Sequence, residues 1–323
     1  MPPTLDRILF PTDFSACAEG AYRHAAWLAE RFDAELHVLY VVEDEAAPER
    51  AWPDTPGSGH VQISMADVAA DLGLPEQLAD QVAEPDSPVE VIETEVVGRK
   101  APDAILDYVT DEEIELVVIG THGRQGWRRG VIGSVAETVV RRAPCPVLTV
   151  RPLDAPGQGE WPPRRVLLAA DAIPTGADEA VPITAQWAAR LAVAYGARLD
   201  IVHVTTPVRV GVSRPSDAAQ VRSREHQALL VLADQLRDEA GTDLEIDVTV
   251  RSGDPATAIR TAAEEAGTHL LVVGTSARQG ASRALLGSVA ETLIRTAPCP
   301  VLVARDAGAV PTAGRPASQE AAS

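Results

Sequence analysis

The stretch GTHGRQGWRRGVIGSVAE, residues 120–137, places five glycines and three arginines in a chain whose formal net charge is -19. A second stretch at 274–291, GTSARQGASRALLGSVAE, repeats it. Glycine lets a backbone approach an anion closely. A helix N-terminus offers unpaired amides and partial positive charge, and arginine adds positive field, so the combination can seat a phosphate. The spacing is neither a dinucleotide fingerprint after a first strand nor a Walker loop with its lysine, and both are excluded. A plainer alternative stays open. The glycines may simply be required by turns, with Ser134 and Glu137, and again Ser288 and Glu291, forming S-x-x-E capping boxes.

Other residues of chemical interest are fewer. Asp13 and Asp171 end the matching stretches RILFPTD and RVLLAAD; each can face a ligand, although Asp13 with Ser15 can also cap the next helix. His122 lacks an evident carboxylate partner and becomes Ser276 in the second copy, which argues against a general base. Cys17, Cys145 and Cys299 show no CxxC spacing, so no zinc site is expected, and Cys145 and Cys299 read as buried packing.

The elements that must position these residues repeat as well. GSVAETVVRRAPCPVL at 133–148 and GSVAETLIRTAPCPVL at 287–302 align without a gap and differ at three positions. The chain is a duplication. Each half is expected to begin with a short apolar strand ending in Asp and to finish with the glycine loop, a helix and a strand. In the first half, strands are expected at 8–11, 36–42, 89–97, 116–119 and 146–150. Ala18, Ala21, Tyr22, Ala25, Leu28 and Phe32 recur at helical spacing, and helices are also expected over 104–109 and 134–142. Strands alternating with helices predict a parallel sheet covered on both faces. The second half carries a helix near 220–240; the first has a polar passage at 43–88, with helical pattern over 65–82. Domains are expected at 1–152 and 164–305, joined by a Pro- and Gly-rich linker at 153–163, with a disordered tail at 306–323.

Composition bounds the rest. The chain is 46% hydrophobic but only 4% aromatic, so Ala, Val, Leu and Ile must build the core. The acidic balance argues against nucleic acid and anionic membranes as partners. No secretory signal or membrane-length apolar run is seen, and a cytoplasmic location is expected. Thirteen acids face one base, Arg50, over 43–93, whereas five arginines face one acid over 121–142, so the glycine loop reads as a positive island.

Gly120-x-x-Gly123, nine residues, then Gly133-Ser134 resembles the ATP-binding motif of the universal stress protein family. The PTD at Pro11, the strand ending near Val41 and GSVAE…APCPVL resemble that family too, across both halves. The resemblance implies an α/β fold of two doubly wound domains, each a five-stranded parallel sheet of order 3-2-1-4-5 with helices on both faces. It places the site at the topological switch point between the first and fourth strands, where open α/β sheets bind ligands. It implies that Asp13 bonds the ribose or adenine end, and that Pro11, Thr12 and Val41 line the adenine pocket. Gly120, Gly123, Gly133 and Ser134, with the amides of Val135 and Ala136 and the charge of Arg124, would hold the phosphates. A second, weaker site would use Asp171, Val204, Gly274, Gly287 and Ser288, with Ala277 standing where Gly123 stands in the first.

The expected function is stress-response regulation by binding ATP, or ADP or AMP, with or without Mg²⁺. No metal-ligand set and no convincing base are evident, so binding is favoured over slow ATP hydrolysis; a nucleotide-free scaffold is the third reading. The final strands CPVLTV and CPVLVA are expected to pair the two domains within one chain, and two chains to form a homodimer.

Overall fold

The computed structural model describes residues 5–44, 61–62, 89–121, 132–151, 161–171, 180–205, 215–241, 243–275 and 286–305. The expected linker at 153–163 lies mostly outside these residues. The expected tail, the helical pattern at 65–82, and Gly123, Arg124, His122 and Ala277 lie wholly outside them.

The first half runs β1 (Arg7–Thr12), α1 (Ala16–Phe32), β2 (Glu35–Glu43), β3 (Val61–Gln62), β4 (Val91–Gly98), α2 (Ala101–Asp111), β5 (Leu116–Gly120), α3 (Ser134–Arg142) and β6 (Val147–Val150). The second runs β7 (Arg165–Ala170), α4 (Ile183–Tyr195), β8 (Arg198–Thr205), α5 (Pro215–Ala240), β9 (Ile246–Ser252), α6 (Pro255–Ala266), β10 (Leu270–Gly274), α7 (Ser288–Thr296) and β11 (Val301–Ala304).

The eleven strands among the described residues form one sheet, ordered β3-β4-β2-β1-β5-β6-β11-β10-β7-β8-β9. Within each half the five parallel strands follow 3-2-1-4-5, as expected. Two features extend the expectation. The short β3 lies antiparallel on the outer edge of β4. The halves share a seam where β11 runs antiparallel to β6, with Leu302 opposite Leu148. The seam therefore lies on the strands expected to pair.

Strand periodicity divides the core between the two faces. Ile8, Phe10 and Leu36 pack on one face with α1, α4 and α5. Leu9, Leu39 and Val117 pack on the other with α2, α3, α6 and α7. Across the seam, α1 meets α4 through an aromatic group. His24 Nδ1 lies 2.8 Å from the Tyr195 hydroxyl, Trp27 Nε1 donates to the Ala194 carbonyl at 3.2 Å, and Trp161 sits edge-on to both His24 and Trp27. Trp27, Trp161 and Tyr195 thus meet where the halves join.

One ladder differs between the halves. β1 and β5 register only at Ile8↔Leu116 and Leu9↔Val117, while β7 and β10 continue to Leu168↔Val272 and Ala169↔Val273. The Arg7 carbonyl accepts from Glu115 N, so positions 7, 9 and 11 face β5. Proline at position 11 has no N–H to give; Ala169 does.

Candidate functional site

The C-terminal ends of β1, β2 and β5 lie along one edge of the sheet because these strands are parallel. Thr12 registers with Tyr40, and Val41 follows it. Pro11, Thr12, Asp13, Val41 and Gly120 therefore share the rim at the switch point, and β5 leads through the loop to α3. Pro11 is buried, while Thr12, Asp13 and Val41 are half-buried.

Backbone shape at this rim is set locally. Phe14 takes φ of 59°, a left-handed value rare for a bulky side chain, and its ring packs 5.4 Å from Tyr40. The turn is held by Phe14 N donating to Thr12 Oγ1 and Ser15 N donating to Asp13 Oδ1, each at 3.0 Å. Ser15 then caps α1 by accepting from Ala18 N. Asp13 thus shapes the turn into α1, which Ser15 caps, and lies beyond the end of β1.

Gly120 has a close neighbour. A β-carbon there would stand 3.2 Å from the carbonyl carbon, carbonyl oxygen and Sγ of Cys17 in the first turn of α1. The glycine lets β5 and α1 close up on the floor of the crevice. The glycine loop is tied at its base: Gly133 N donates to the Thr121 carbonyl at 2.7 Å, and Thr121 N donates to the Val150 carbonyl at 2.9 Å.

The capping box is not formed. The cap of α3 is Gly133 (φ -61°, ψ 144°), that of α7 is Gly287, and neither helix has a side-chain cap bond. Ser134 and Ser288 are the first helical residues. Glu137, instead of reaching back to the cap, pairs with Arg141 at 3.1 Å and Arg295 at 3.4 Å. The S-x-x-E spacing permitted the box, but the helix begins at Ser134 itself, and Arg141 on α3 and Arg295 on α7 take the carboxylate. The first-turn amides of Ser134, Val135 and Ala136 are consequently left without a side-chain acceptor from the cap. The positive island is also reduced: Arg141 and Arg142 are engaged with Glu137, Glu291 and Asp103.

The second half places Asp171, Val204, Gly274, Gly287 and Ser288 along the matching edge. Here the carboxylate of Asp171 lies over the strand end, 3.8 and 3.9 Å from where a β-carbon on Gly274 would stand. His203, in register with Ala170, holds the Ala170 carbonyl through Nδ1 at 2.7 Å, with its Nε2 3.9 Å from Glu225 on α5.

Sequence reasoning overlooked Phe14, Cys17 and Thr121. Thr121 was recoverable, since Thr275 repeats it and its amide donates to Ala304 as Thr121 does to Val150. Cys17 and Phe14 carry no repeated signal. The reading of Cys145 as buried packing agrees with its environment: burial pushes its thiol up to about 12. Among the described residues no group of three or more His, Cys, Asp or Glu side chains could hold a metal ion. No helix among them is long and apolar enough to cross a membrane.

Fold and strand order define a duplicated doubly wound α/β protein with a topological switch point in each half. The universal stress protein family model matches residues 4–151 and again 163–305, so the chain belongs to that family, in tandem form. Universal stress protein Rv2005c of Mycobacterium tuberculosis is 30% identical over 276 residues, covering 84% of this chain and 87% of that protein. Universal stress protein Rv2623 of the same organism is 29% identical over 307 residues, covering 93% and 96%. A solved universal stress protein from Archaeoglobus fulgidus has a TM-score of 0.59 at 19% identity, over 93% of this chain and 98% of that one; at that identity it shows the fold.

Proposed function

We propose that this chain is a cytoplasmic regulatory protein of the stress response that binds adenine nucleotide, chiefly in its first half. ATP is the expected ligand, with ADP or AMP as alternatives and Mg²⁺ as an optional companion. The observation that carries the reading is the N-terminus of α3, whose cap residue Gly133 brings no side chain to the first-turn amides, placed beyond the end of β5 at the rim formed with β1 and β2. Family membership and the match to the family's ATP-binding motif support the same ligand.

In this reading the amides of Ser134, Val135 and Ala136, with Gly120, Gly123, Gly133 and Arg124, receive the phosphates. Pro11, Thr12, Asp13 and Val41 receive the nucleoside. Bound ATP would supply a change of charge and of loop order that a partner can read. Its binding requires no residue to act as a base. The second crevice, built from Asp171, Val204, Gly274, Gly287 and Ser288, binds more weakly because Asp171 turns its charge onto the strand end. The functional units are residues 1–152 and 164–305, joined by 153–163, and two chains associate as a homodimer.

Isothermal titration with ATP, ADP and AMP tests this, together with mass spectrometry of whatever the purified protein releases on heating. Asp13→Ala is expected to weaken binding about tenfold. Steady phosphate release that Asp13→Ala abolishes would favour hydrolysis. No adenine nucleotide, either carried or taken up, would leave the scaffold reading.

A further inference from the structure

We propose that two arginines of the second half, Arg295 and Arg305, are positioning residues for the ligand seat of the first half. This rests on the functional reading above. The seat is the N-terminus of α3, a nine-residue helix about 13 Å long. So short a helix holds its first-turn amides steady only if its side and its far end are anchored.

Both anchors come from the other half. Arg305, just past β11, donates through one guanidinium nitrogen to the Val140 carbonyl at 2.8 Å and to the Arg141 carbonyl. Those carbonyls end α3 and have no onward helical partner, and a cation there also suits the helix dipole. Along the side, Arg295 of α7 lies 3.4 Å from Glu137 and 3.1 Å from Glu291, while Arg141 lies 3.1 Å from each of the same two carboxylates. The four charges form a closed ring bridging α3 and α7. Burial lowers the pKa of Arg305, and the delocalised charge of a guanidinium is kept in proteins.

The arrangement has a counterpart. Arg151, just past β6, donates to the Arg295 carbonyl at 3.4 Å and to the Ala297 carbonyl at the end of α7. Each half therefore secures the last helix of the other. The second half thus contributes to the first crevice without binding any ligand itself, by holding α3 in the pose in which its amides converge. Pre-organisation of this kind raises affinity by removing the cost of ordering the seat at the moment of binding.

The test uses the full chain, with ATP affinity of the first site measured by titration calorimetry and amide exchange of residues 134–142 measured without ligand. Arg305→Gln is expected to raise Kd about fivefold and to speed exchange through α3. Arg305→Lys, which can still donate to the same carbonyls, is expected to recover most of the affinity. Arg151→Gln, which reaches α3 only through α7 and Arg295, is expected to raise Kd less than Arg305→Gln and to speed exchange in α7 more than in α3. Unchanged Kd in Arg305→Gln, or equal weakening in Arg151→Gln, would overturn the proposal. If the unaltered chain binds no adenine nucleotide, the functional reading fails. The exchange comparison then decides alone whether Arg305 holds α3: faster exchange in Arg305→Gln only supports it, and equal exchange overturns it.

Discussion

Individual residues carry two testable consequences. A methyl group at position 120 would meet the Cys17 backbone at 3.2 Å, so Gly120→Ala must displace either β5 or the first turn of α1. A loss of about 1–3 kcal/mol in urea denaturation is expected; an unchanged midpoint would mean that α1 gives way freely. His24 is buried against Tyr195, and desolvation first, then the nearby charge of Arg23, lowers its pKa to about 3. The folded value lies below the unfolded one of about 6.5. The stabilisation is therefore complete above pH 6.5 and is lost as pH falls towards 3, by up to about 1.4 kcal/mol per pH unit. His24→Gln, which keeps a polar partner for Tyr195 but does not titrate, should flatten Tm against pH between 6.5 and 3.5. Parallel curves for the two proteins would remove His24 as the cause.

Elements are where the sequence was most readable, and the reasons are physical. Apolar periodicity follows from burial on one face, so α1 and the five parallel strands could be read from spacing alone. The duplication then fixed which strand of one half answers which of the other. What could not be read was long-range geometry. The S-x-x-E spacing is compatible with a capping box, but Glu137 finds Arg295, 158 residues away. Asp13 and Asp171 look alike in sequence, yet one carboxylate takes the Ser15 amide and the other covers Gly274. Phe14 has nothing in its neighbours to announce a left-handed backbone. The β1–β5 ladder gives a further expectation at this scale. Ala169→Pro should remove the bond that Pro11 already lacks and cost about 1–3 kcal/mol, read as a lower urea midpoint. No change would place the end of the β7–β10 ladder before Ala169.

The described strands form one sheet with a switch point in each half, and the proposed function makes the two sites unequal. The inequality predicts one nucleotide per chain at moderate ATP concentration. Native mass spectrometry should show a single adduct that Asp13→Ala depletes and Asp171→Ala does not. Two adducts of equal occupancy would make the crevices equivalent.

The central seam also dictates an order of assembly. β6 ends at Val150, but its antiparallel neighbour β11 begins only at Val301. Throughout that interval the emerging first half carries a bare strand edge at what will become the middle of the protein. A polypeptide stopped before Val301 has no internal strand to complete it. Two such fragments should close on each other, β6 against β6, and elute as a pair in gel filtration.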